Sequence, residues 1–258
     1  MNAKPLVALA ATLLLAACAH APAPVAALPP PPPAHNPMAT WVPSPNFEPR
    51  RPNLIVIHAT EQDSVAQSLQ TLRTGNSGGP VSSHYLVGDD GHVYQLVDDT
   101  QRAWHAGPGH WGTITDVNNA SIGIEIDNDG EEAFTEAQIQ SVIRLLDDLT
   151  SRLGIPREQV IAHADMAPTR KRDPGFRFPW KRLADAGFGK WPRAPLVDPP
   201  AGFDPWLALR LLGYPLDQDD SPDHADTVRA FHRHFRGDEA VRLDMQDHRI
   251  LFALTGPR

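Results

Sequence analysis

The run Leu54-Ile55-Val56-Ile57 constrains the fold more than any other stretch of this chain. Four consecutive apolar residues that stop at His58 read as a strand covered on both faces, so packing is needed on each side of it. Val160-Ile161-Ala162 repeats the pattern and also stops at a histidine, His163. Ser121 to Asp127 differs, because Ile122, Ile124 and Ile126 alternate with Gly123 and Glu125, which gives one apolar face and sets Glu125 on the other. Tyr85-Leu86-Val87 and Val93 to Val97 flank Asp89-Asp90-Gly91 and predict a hairpin. Val65, Leu69 and Leu72 sit at helical spacing before the breakers Gly75, Gly78, Gly79 and Pro80. A longer helix opens on the capping box Thr135-x-x-Gln138, carries Ile139, Val142, Ile143, Leu146, Leu149 and Leu153, and stops at Gly154 and Pro156. Together these segments predict an α/β domain over residues 51–192, a mixed β-sheet flanked by helices.

The flanks read differently. Residues 1–18 have the form of an export signal: Lys4, an apolar run from Leu6 to Ala17, then Cys18. That run falls short of the roughly 20 residues needed to span a bilayer. Residues 19–50 are mostly Ala and Pro, with an unbroken Pro29 to Pro33, and cannot bury a core. Polyproline backbone rises about 3.1 Å per residue, so such a spacer reaches tens of ångströms. Past Pro192, the linker Pro195 to Pro200 leads into residues 199–258. Three helical patterns lie there, one from Pro205 with Trp206, Leu207, Leu209, Leu211 and Leu212, one with Val228, Phe231 and Phe235, and one with Ile250, Leu251 and Leu254. They predict a small three-helix module. Cys18 is the only cysteine, so no internal disulfide can form. A net charge of −8, with no basic block beyond Arg170-Lys171-Arg172, argues against nucleic acid as a partner.

His58 and His163, each at the end of a short apolar strand, project from the same sheet edge if their strands are neighbours, and Asp173 follows in the loop before Pro174-Gly175. Two imidazoles and a carboxylate suit Zn²⁺ and leave a fourth position for water. Spacing alone leaves this open, since histidines at strand ends are commonly plain surface residues. The same holds for Glu125 as an outward strand residue, for Lys171 as one of three exposed cations, and for Trp104-His105, which reads equally as groove lining or core edge. His84, His92 and His110 have no evident role. His232 and His234, two apart on a helix, point in different directions and do not face one ion.

Five segments carry a resemblance: Ile55-Val56-Ile57-His58-Ala59-Thr60, Ser83 to Val87, Ala103-Trp104-His105-Ala106-Gly107, Ser121 to Ile126, and His163 to Gly175. In this order they resemble the motifs of the zinc-dependent N-acetylmuramoyl-L-alanine amidases, a family that takes in phage lysozymes of the T7 type and peptidoglycan recognition proteins. The resemblance implies zinc held by His58, His163 and Asp173, Glu125 as catalytic acid/base, Lys171 facing the developing oxyanion, and Trp104 and His105 lining the substrate groove. The implied substrate is peptidoglycan or muropeptides, cut between N-acetylmuramic acid and L-alanine by a monomer with one zinc per chain. Phage members carry cysteine at the position of Asp173, so the chain is similar to the carboxylate-bearing branch. Leu15-Ala16-Ala17-Cys18 resembles a lipobox. That implies acylation at Cys18 and, with Ala19 next, a lipid anchor in the outer membrane of a Gram-negative cell, facing the periplasm. Residues 199–258 resemble, more loosely, a helical peptidoglycan-binding module. Because the chemistry-bearing motifs all precede Trp180, the module is expected to be dispensable on small soluble muropeptides. Two rival readings are a binding protein that kept the fold and lost catalysis, and a lipid-anchored scaffold; the full ligand set with Glu125 and Lys171 favours the enzyme.

Overall fold

The computed structural model describes residues 50–256. The expected signal, Cys18 and all but the last residue of the spacer lie outside the described residues. In chain order, strand β1 (Leu54–Ala59) is followed by helix α1 (Val65–Thr74), the strands β2 (Tyr85–Val87) and β3 (Val93–Gln95), and a single turn α2 (Val117–Ala120) that runs into β4 (Ser121–Ile126). The long helix α3 (Glu136–Leu153) comes next, then β5 (Val160–Ala162), which runs into a second single turn, α4 (His163–Met166), and α5 (Trp180–Asp185). Helices α6 (Pro205–Leu212), α7 (Ala225–Phe235) and α8 (Met245–Thr255) complete the described chain.

The strands form one five-stranded sheet in the order β3-β2-β4-β1-β5. β1 runs parallel to β4 and β5, β4 runs parallel to β2, and β2 and β3 make the expected antiparallel hairpin. Every residue of β1 is buried, as its unbroken apolar run requires. On one face Ile55, Ile57, Ile122, Ile124 and Ile126 pack with Ile139, Val142, Leu146 and Leu149 of α3. That helix starts on the Thr135–Gln138 capping box and ends at Gly154, whose φ of 70° is the left-handed cap a glycine provides. The other face carries a smaller apolar cluster, in which Leu54, Val56 and Ile161 meet Ala106, Val117, Met166 and Ala167. Two residues beyond Val56 the side of the strand it occupies belongs to His58, which pairs in register with Glu125. The second face therefore turns from core into site at the C-terminal ends of the parallel strands, where open sheets of this kind place their ligands.

The C-terminal helices do not stand apart. Ala208, Leu209, Leu212, Phe231, Ile250 and Leu251 belong to the same apolar cluster as the sheet and α3. Leu207 and Leu211, expected with the apolar stripe of α6, are instead exposed, because a helix of eight residues with one packed face cannot turn neighbours 207, 208 and 209 all inward. The contact with the sheet layer is also polar. Asp165, fully buried in α4, accepts hydrogen bonds from the Tyr214 hydroxyl (2.8 Å), from His234 Nδ1 (2.6 Å) and from the backbone N–H of Ala162 (2.8 Å). His234 also stacks on Trp180, with ring centroids 3.9 Å apart. Among the described residues no helix is long and apolar enough to cross a membrane.

Candidate metal centre and its cleft

Three side chains meet at the C-terminal edge of the sheet. His58 ends β1, His163 follows β5, and Asp173 is brought back beside them by the loop after α4, whose carbonyl at Asp173 accepts from Ala164 N–H. His58 Nδ1 lies 2.9 Å from His163 Nδ1 and 3.1 Å from Asp173 Oδ2, and His163 Nδ1 lies 3.0 Å from the same oxygen. Ligand atoms about 2.0–2.1 Å from one tetrahedral zinc would lie roughly 3.3 Å apart, so the three atoms are spaced as one ion requires. The chemistry of the donors fits as well. His163 Nε2 donates to the carbonyl of Ala106 at 2.8 Å, which leaves its Nδ1 without a proton in the neutral ring. Burial, reinforced by His163, lowers His58 to about 4, so this ring is neutral near pH 7. Burial acting alone would raise Asp173, but the two histidines hold it well below the usual carboxylate range. Lone pairs and negative charge thus converge on one point, an arrangement that calls for a cation.

Glu125 stands across from His58, 4.0 Å from its Nδ1. Its side chain is only 13% exposed, so it is not the solvated outward residue that strand alternation alone allows. Burial, with the charge of Asp173, raises Glu125 to about 8, and Lys171 acts in the opposite direction. The basic triplet splits three ways. Arg170 turns inward to the carbonyls of Ala106 and Pro108, Arg172 turns outward to Glu61, and Lys171 lines the cleft with no ion pair to any described residue.

The cleft is walled by Gln62 from the turn before α1, by Thr71 of α1, by Asn76 and Ser82 from the loop after it, and by Trp104. Trp104 is 52% exposed, while its backbone is pinned to residue 82 by two hydrogen bonds. A flat ring held in place at the rim is what contact with a sugar or peptide needs. His105, paired with Trp104 in the sequence reading as groove lining, has another position. It borders the base of the cleft, but its Nδ1 meets His58 Nε2 at 3.0 Å and its Nε2 meets Ser121 Oγ at 3.2 Å, so both ring nitrogens are engaged inside the protein. Among the described residues, the other histidines do not join the centre. His84 accepts from Gly123 N–H and reaches the Gln101 carbonyl, while His110 pairs with Asp217. His232 faces Asp238 and Asp247, and His234 faces Asp165, in different directions as expected.

The N-acetylmuramoyl-L-alanine amidase family profile matches residues 48–176, the stretch that holds the whole centre. N-acetylmuramoyl-L-alanine amidase AmiD of Escherichia coli K12 is 39% identical over 213 residues, covering 72% of this chain and 75% of that protein. The chain belongs to the N-acetylmuramoyl-L-alanine amidase family. The similarity extends beyond the amidase domain itself. The structure of E. coli AmiD in complex with the substrate anhydro-N-acetylmuramic acid-L-Ala-D-γ-Glu-L-Lys matches with a TM-score of 0.69 at 36% identity, over 83% of this chain and 91% of that one. Pseudomonas aeruginosa AmpDh3, in complex with an anhydromuramic pentapeptide, matches with a TM-score of 0.71 at 30% identity, over 86% and 97%. Such coverage of this amidase exceeds the matched profile and takes in the helices beyond it.

Sequence reasoning missed Ser121, Gly123, Asp165 and Tyr214 as parts of the site's surroundings. Only Gly123 carried a signal, since a glycine inside a strand marks the close approach of another group.

Proposed function

We propose that this amidase is zinc-dependent and hydrolyses the amide bond between N-acetylmuramic acid and L-alanine in peptidoglycan or muropeptides. The observation that carries the metal is the meeting of His58, His163 and Asp173 through three acceptor atoms about 3 Å apart. Zinc bound there would polarise the scissile carbonyl and acidify an attacking water. Glu125 accepts the water's proton and returns it to the leaving alanine nitrogen. Lys171 supplies fixed positive charge beside the carbonyl oxygen as that oxygen becomes negative. Trp104 offers the rim against which sugar or peptide lies. The muropeptide ligands in the AmiD and AmpDh3 complexes support the substrate class.

Acylation at Cys18, with the Ala/Pro spacer reaching from the outer membrane towards the wall, is the reading of residues 1–50 that the lipobox-like Leu-Ala-Ala-Cys supports. On this reading residues 199–258 add affinity for the polymer to the structural part they play. The deciding experiment is digestion of purified muropeptides by the folded portion, before and after chelation, with products identified by mass. Free peptides beginning with L-alanine should form only with metal present and reappear when Zn²⁺ is restored. Cleavage that persists in full after verified metal removal would sink the zinc reading, and absence of cleavage by the metal-loaded protein would sink the amidase reading.

A further inference from the structure

The hydrogen bonds behind His58 have a direction that can be read from their far end. The carbonyl oxygen of Val117 can only accept, so the Ser121 hydroxyl that reaches it donates its one proton there. Ser121 Oγ must then accept from its other neighbour, His105 Nε2. A neutral imidazole holds a single proton; with that proton on Nε2, His105 Nδ1 is bare and accepts from His58 Nε2–H. The only proton of His58 therefore lies on the nitrogen that faces away from the cleft. Its Nδ1, beside His163 and Asp173, is left as an open lone pair.

We infer that His105 and Ser121 are positioning residues of the centre: they fix the tautomer and ring plane of His58 so that Nδ1 is offered to a divalent cation. Gly123 is the seat that makes room for His105, since a Cβ there would lie 2.5–2.7 Å from three of its ring atoms. The same short loop orients the other imidazole, because the carbonyl of Ala106 holds His163 Nε2. Asn118 in turn pins the loop, its Oδ1 accepting from the backbone N–H groups of His105 (3.0 Å) and Ala106 (2.9 Å). One two-residue segment thus presents both histidine lone pairs, and the Ser-x-Gly of β4 exists to receive it. Outer partners of this kind commonly govern about 10- to 100-fold in metal affinity.

The consequence for zinc rests on the function proposed above; the proton assignment does not. Nitrogen-15 spectra of histidine-labelled, chelator-treated protein should show His58 as the Nε2–H tautomer, and finding it as Nδ1–H overturns the inference without any variant. Zinc affinity is then measured by competition with a chromophoric chelator. His105→Leu should bind zinc about 10- to 100-fold more weakly. His105→Asn, whose amide oxygen can stand where Nδ1 stood, should recover most of that loss. Gly123→Ala should weaken zinc in the wild-type background yet add nothing to His105→Ala, where the clashing ring is gone. Unchanged zinc affinity in folded His105→Leu, or equal loss in the Leu and Asn variants, overturns the positioning role. A wild-type protein that shows the Nε2–H tautomer but binds no zinc removes the zinc reading and leaves the proton assignment standing.

Discussion

A carboxyl group placed as Glu125 is placed has a charge that depends on its neighbours. Burial and Asp173 push its proton affinity up to about 8, and Lys171 opposes them. In metal-free protein the folded state therefore binds this proton more tightly than the unfolded chain, whose glutamate titrates near the ordinary value. Between those two values the folded state holds more protons than the unfolded one, so stability falls as pH rises through this window. At ~1.4 kcal/mol for each pH unit separating the two values, the loss is on the order of 3–5 kcal/mol. Glu125→Gln should thus match the wild type at pH 4 and be more stable at pH 9, as urea unfolding of chelator-treated protein would register; a constant gap across that range would mean that the carboxyl is not buried. With metal bound, the same variant should keep its zinc and lose roughly 10²-fold or more in turnover, because an amide cannot take the proton. Lys171→Met should lower turnover while leaving zinc content unchanged, since the ammonium lines the cleft without belonging to the ligand set. Loss of zinc together with activity would instead make Lys171 a structural support.

Among the elements, α3 packs on the sheet face that carries Ile55, Ile57, Ile122, Ile124 and Ile126 and is the one whose limits are written most locally. Thr135 accepts from Gln138 N–H, and Gln138 Oε1 accepts from Thr135 N–H, closing the box at the helix start. The same two side chains also tie the helix to the hairpin and to the end of β4, Thr135 Oγ1 donating to the Asp89 carbonyl and Gln138 Nε2 to that of Asp127. Thr135→Ala should cost about 1–2 kcal/mol of stability, measured by urea unfolding, with zinc content and turnover unchanged. A fall in zinc content would show that α3 transmits strain to the ligand strands. The capping box and Gly154 were legible because their partners are three residues apart or fewer. Strands β2, β3 and β5 are three residues long each, too short for a period to define, and only Gly91, the apolar composition and the pairing partners mark them.

At the scale of the whole molecule, the helices of residues 205–255 do not behave as an appendage. His234 of α7 and Tyr214, just past the end of α6, bond to Asp165, which lies two residues beyond His163, and His234 stacks on Trp180. A chain ending at Pro199 should therefore lose activity on small soluble muropeptides as well as on whole sacculi, contrary to the expectation from motif positions, because a fully buried carboxylate and an apolar face would be left uncovered. Soluble, fully active truncated protein would show that the amidase layer folds without them. Tyr214→Phe is the milder test: removing one donor to Asp165 should cost about 1–3 kcal/mol by urea unfolding, with the cleft intact. The sequence by itself determined the sheet-and-helix architecture, the long helix with both ends, and, through ordered motifs, the residues of the centre, because apolar period, caps and turns are properties of neighbours in the chain. Only the tertiary structure decided that Arg170 turns inward to the carbonyls of Ala106 and Pro108 while Arg172 turns outward to Glu61, that His105 stands behind His58 with both ring nitrogens engaged, and that the last helices close over Asp165. Those are facts about which surfaces meet across long stretches of chain, where parallel strands and their loops bring side chains together that no local pattern connects.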